Sequence, residues 1–153
     1  MNGAWDGQGW VPEQIQTEDT RMIFFVEGRP APQGSKSPGK YGFRESSKYL
    51  PAWRNAVKKA TSDYVDGLAL FDAIDQPVRV QTFFYVAPPK HTKATHPVAS
   101  SIGDGDKFTR AVWDGLVKGG LLADDRFIVQ WSGGKDWAGA ERPGCLVVVE
   151  VLR

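Results

Sequence analysis

The stretch DGDKFTRAVWDGLVKGGLLADD, residues 104–125, decides the reading of this chain. Phe108, Ala111, Val112 and Leu116 recur at helical spacing, so one side of this segment is apolar. Asp106, Arg110 and Asp114 follow one another at steps of four on the opposite side. A helix is therefore predicted from Asp106 to about Lys118, stopped by Gly119-Gly120. Its apolar side anchors it, and its charged side is left free. Two strands flank it: Pro77–Ala87 before, and Arg126–Trp131 after.

Working outward, Met22–Glu27 reads as a strand. Residues 28–40 carry Pro30, Pro32, Gly34, Pro38 and Gly39, which is loop chemistry. Tyr41–Arg44 is a short candidate strand. Ser46 or Ser47 is the expected cap of a helix running to about Tyr64, with Leu50, Trp53, Val57 and Ala60 or Thr61 facing the core. Residues 88–103 form a loop holding Lys90, His91, Lys93 and His96. Arg126–Trp131 and Pro143–Leu152 are expected as an antiparallel pair joined by 132–142. The fold class is thus α+β: a single domain with a mixed sheet and two main helices packed on one face. The domain is assigned to 21–153. Residues 1–20, Gly- and Gln-rich with Trp5 and Trp10, are expected as a flexible arm.

A chain of 153 residues fits one domain with a proper core. Its 41% hydrophobic content excludes a wholly disordered chain. With one cysteine, Cys145, no intrachain disulfide forms and no zinc cage is spaced out. Cys145 lies in an apolar run and is expected in a buried strand. No apolar run is long enough to span a membrane. Residues 1–20 carry Asp6, Glu13, Glu18 and Asp19 and lack the features of a secretory signal, so the cytoplasm is the expected compartment.

The net charge of +1 hides a separation of charge. Residues 21–60 carry nine Lys or Arg against two Glu, and residues 104–125 carry five Asp against three basic residues. A basic surface suits a polyanion, and an acidic cluster suits divalent cations. Ordinary solvated surfaces would give the same counts.

One aspartate at a helix start is ordinary capping. Asp104, Asp106 and Asp114, followed by the Asp124-Asp125 pair, exceed what capping needs. The helix is about 20 Å long. The connection from Gly119 to Asp125 reaches up to about 24 Å, so Asp125 can return toward the helix start. Clustered carboxylates repel one another unless cations neutralise them, and hard ions such as Mg²⁺ favour such oxygens. An Asp-x-Asp pair alone is weak. An EF-hand is excluded, because the sixth position from Asp104 is Thr109 and the twelfth is Gly115.

Two blocks, Asp104-x-Asp106-Lys107-x-x-Arg110-Ala-x-x-Asp114-x-Leu116 and Gly120-x-x-x-Asp124-Asp125-x-x-Val-Gln, resemble the RusA-like Holliday junction resolvases, common in phages and prophages. Gly28-x-Pro-x-Pro-Gln-Gly-Ser-Lys36, Glu45-Ser-Ser-Lys48 and Trp53-Arg54 fit its phage branch. The similarity spans about residues 21–152. It implies a homodimeric, Mg²⁺-dependent endonuclease of four-way DNA junctions, with Mn²⁺ as a substitute. Asp104, Asp106 and Asp125 match the family's essential carboxylates, with Asp124 beside them. Some members have lysine where this chain has Arg110. Arginine keeps the charge but does not readily release a proton, which leaves charge stabilisation. Lys107 is the alternative lysine.

The implied catalytic set is therefore Asp104, Asp106, Asp125, Arg110 and Lys107, and the metal set Asp104, Asp106, Asp124 and Asp125. Asp114 either orients Arg110 or makes a plain surface ion pair. Candidate DNA contacts are Lys36, Lys40, Lys48, Arg54, Lys90 and Lys93. Trp113 and Val117 border the polar face and are candidates for the dimer contact. Rival readings are a branched-DNA-binding module that does not cut, its metal site serving structure, and a nuclease preferring flaps, forks or replication intermediates. A glycosyltransferase using Asp104 and Asp106 is disfavoured by the lack of a nucleotide-binding unit before them.

Overall fold

The computed structural model describes residues 21–34, 36–39, 42–45, 48–68, 72–139 and 142–153. The expected arm, 1–20, together with Lys40, Ser46 and Ser47, lies outside the described residues. The elements are β1 (Arg21–Glu27), β2 (Lys36–Gly39), β3 (Gly42–Glu45), α1 (Leu50–Asp66), β4 (Val78–Val86), α2 (Gly105–Lys118), a 3₁₀ turn (Asp125–Phe127), β5 (Ile128–Trp137) and β6 (Gly144–Val151).

Four strands form one mixed sheet in the order β1-β6-β4-β5, and β2 and β3 form a separate antiparallel pair. β6 is antiparallel to both β1 and β4, while β5 runs parallel to β4. A parallel neighbour requires a long crossover, and α2 lies in that crossover. The α+β class with two helices holds.

The expected β5–β6 hairpin does not form. β4 lies between the two strands, and residues 132–137 extend β5 instead of forming a loop. Gly133-Gly134 reads as a turn in isolation, yet pairing with Thr82 and Phe83 of β4 holds it extended. Lys36–Gly39, read as loop, pairs with β3. α1 begins at Leu50 behind Tyr49, with Pro51 in its first turn, where its missing N–H costs nothing.

Alternation along the strands gives the sheet one buried face. Met22 and Val26, Cys145, Val147 and Val149, and Val78, Val80 and Phe84 are all buried there. Leu50, Trp53 and Val57 of α1, and Phe108, Val112 and Leu116 of α2, complete the core. Burial pushes the Cys145 thiol up, so it stays protonated and inert. The two helices meet closely because Gly115 faces Val57, where a side chain would collide. The sheet's other face is polar toward β5. There Arg79 donates to Glu150 at 2.7 Å and to Gln130 at 2.9 Å. No helix among the described residues is long and apolar enough to cross a membrane.

Candidate active site

α2 starts at Gly105, with Asp104 at its N-cap in extended conformation. Asp106 lies in its first turn, where the helix dipole favours a negative charge. After α2 the chain turns back under tight control. Leu121 and Leu122 both donate backbone N–H to the carbonyl of Leu116, Ala123 N–H donates to Ile74, and Ile74 N–H donates to Leu121. Both leucines are buried, so the return is pinned to the core. Asp124 then caps the 3₁₀ turn, its side chain accepting from Arg126 N–H at 2.9 Å. Asp125 follows it.

This path opens a cleft of about 740 Å³ between the outward face of α2 and the edge strand β5. Asp106, Arg110 and Trp113 line it from α2, Asp125 from the 3₁₀ turn, and Trp131 and Lys135 from β5. Thr82 and Phe84 contribute from β4. Two acidic and two basic side chains thus share one concave space at the end of the crossover. Trp131 is 62% exposed and meets Trp113 edge-on, ring centroids 5.5 Å apart.

The remaining sequence candidates are placed differently. Asp104 is exposed and does not line this cleft. Its carboxylate lies 3.7 Å from the Lys107 ammonium, so Lys107 is an ion-pair partner of Asp104. Asp114 pairs with Lys118 at 3.1 Å rather than with Arg110, the plain helix-surface outcome. Among the described residues, no three His, Cys, Asp or Glu gather as a metal cage. Mg²⁺ does not need one, since it keeps several waters and takes one or two carboxylates plus substrate phosphate. The donor set of Asp106 and Asp125 on one cleft fits such an ion.

The loop 28–34 falls within the Gly28-to-Lys36 stretch. It braces the start of α2: Gln33 N–H donates to the Lys107 carbonyl at 3.0 Å, and Gln33 Oε1 accepts from Arg54 at 3.0 Å. A Cβ on Gly34 (φ +101°) would run into the Arg110 guanidinium. One on Gly103 (φ +123°) would come within 2.8 Å of Pro32 Cγ. Gly34→Ala is expected to destabilise by about 1–2 kcal/mol through its backbone alone. By displacing Arg110 it should also slow cleavage by about 10²-fold. Thermal melting and initial rates measure the two effects, and an unchanged rate would detach Arg110 from the chemistry.

A second cleft, about 830 Å³, is lined by Arg29, Lys48, Tyr49 and the 100–103 segment. Arg29 stacks over the Tyr49 ring at 3.6 Å, and Lys48 lies 5.3 Å from it. Of the proposed DNA contacts, Lys48, Lys90 and Lys93 are exposed. Arg54 is tied to Gln33. Lys36 lies in β2. His91 and His96 are exposed and do not line the first cleft.

The family described as Endodeoxyribonuclease RusA matches residues 27–150, most of the chain. The chain belongs to the RusA family. No curated protein sequence matches it. As a RusA-family member it is an endodeoxyribonuclease, a hydrolase that resolves Holliday junctions and binds branched DNA. Such nucleases are generally dependent on a divalent metal. Sequence reasoning did not single out Lys135, Trp131 and Arg29, which line the two clefts, or the close approach of Gly34 to Arg110. Trp131 falls on the helix-facing side of the strand that was read, and Lys135 does so once that strand is carried through Gly133-Gly134.

Proposed function

We propose that this chain is a Mg²⁺-dependent junction resolvase, with Mn²⁺ as a substitute, whose ion is held by Asp106 and Asp125. The observation that carries the reading is that Asp106, Asp125 and Arg110 line one cleft. When bound there, the ion supplies Lewis acidity toward a phosphodiester and a more acidic water. Arg110 offsets charge on the non-bridging phosphate oxygens. Asp104 holds Lys107 at the helix start, and Asp124 fixes the turn that presents Asp125. The products are a 5′-phosphate and a 3′-hydroxyl. The protein acts as a homodimer, since a C₂ dimer offers two equal sites to the two equivalent strands of a junction. Its place is the host cytoplasm, encoded by a phage or prophage, in recombination, repair or replication.

The test is incubation of an end-labelled four-way junction with and without Mg²⁺. Paired, symmetric nicks only with the metal support the reading. Binding without cutting, or a clear preference for flaps or forks, would contradict it. Light scattering at micromolar concentration should report a dimer.

The DNA grip is electrostatic, with Arg29, Lys48, Lys90 and Lys93 as phosphate contacts, joined by Lys36, Lys40 and Arg54. If six or more phosphates are neutralised across the dimer, junction affinity should fall by about 10³-fold or more between 50 and 200 mM salt. A mobility-shift titration checks this, and salt-insensitive binding would contradict it.

A further inference from the structure

Lys135 projects from the edge strand β5, opposite Phe84 in register, toward the side of the sheet that α2 covers. It is half-buried. Its ammonium donates to the Gly103 carbonyl at 2.6 Å and lies 5.9 Å from the centre of the Phe108 ring. Among the described residues it has no carboxylate within ion-pair distance. An ammonium has three N–H donors and a full charge. The Gly103 carbonyl takes one of these donors and leaves the others able to reach a further acceptor. The space it borders is the cleft of Asp106, Asp125 and Arg110. A group that brings negative charge into that cleft completes its coordination.

We propose that Lys135 is a catalytic residue that donates a hydrogen bond to a non-bridging oxygen of the scissile phosphate, from the side of the cleft opposite Arg110. This rests on the nuclease reading above. The bond to Gly103 holds the ammonium in place beforehand. Lys107, the alternative lysine of the sequence, lies 3.7 Å from the Asp104 carboxylate and does not line the cleft. Lys135 supplies a compact point charge where Arg110 supplies a fork, so the two are not interchangeable.

The test uses the full-length protein, with Lys135→Met and Lys135→Arg compared with wild type on a labelled junction. Wild type must cut. If it does not, the nuclease reading fails, and not this inference alone. Loss of a donor to developing charge should lower kcat by about 10²–10³-fold in Lys135→Met, with KM within about threefold of wild type. Lys135→Arg should recover part of the loss. Mn²⁺ affinity, measured by calorimetry without DNA, should stay equal or tighten, because a cation near the acidic donors has been removed. Unchanged kcat would overturn the proposal. So would a kcat loss accompanied by a lowered melting temperature and weakened Mn²⁺ binding, the signature of a mere tether for Gly103.

Discussion

Asp106→Asn should lose junction cleavage by on the order of 10³-fold or more while junction binding survives. Asparagine keeps the shape and removes the charge that holds a divalent ion. Asp106 is exposed, so folding loses only the helix-start charge effect, a few tenths of a kcal/mol. Affinity is set by phosphate contacts spread over the basic surface, and one less negative charge in the cleft does not weaken them. Initial-rate assays and mobility shifts on the same preparation separate the two quantities. A variant that cuts at the normal rate would remove Asp106 from the chemistry.

Phe108→Ala should destabilise the protein by about 3–5 kcal/mol, the range for truncating a fully buried aromatic. The ring has no exposed surface, and its centroid lies 5.2 Å from that of Phe84. It fastens the first turns of α2, which carry Asp106, to the centre of the sheet. At this chain size each kcal/mol shifts the melting temperature by about 2–4 °C, so a drop of about 6–20 °C is expected. Thermal melting followed by circular dichroism decides it. A shift of only a degree or two would mean that α2 is held elsewhere.

Much of this was legible in the residues because periodicity reports burial. The alternation in Val78–Val86 and the spacing of Phe108, Val112 and Leu116 each show which side faces the core, and the structure buries those sides. The two aspartate blocks carried the family. Strand partners were not legible. An antiparallel β5–β6 hairpin and a parallel β4–β5 pair make similar local demands, and the choice rests on long-range packing of α2 in the crossover. The error in β5 hid Lys135, whose side follows from extending the strand through Gly133-Gly134. The spacing allowed Asp106 and Asp125 to approach one another, and both line the first cleft. The pair of Asp104 with Lys107 is an ordinary i, i+3 contact at a helix start, which the sequence reading did not weigh.

The central claim is that Asp106 and Asp125, nineteen positions apart in sequence, serve one divalent ion. Calorimetric titration of Mn²⁺ into wild type, Asp106→Asn, Asp125→Asn and the double variant tests it most directly. Shared ligation predicts that each single change weakens binding by about tenfold or more and that the double change adds little beyond either. Asp125→Asn binding Mn²⁺ as tightly as wild type would contradict the account.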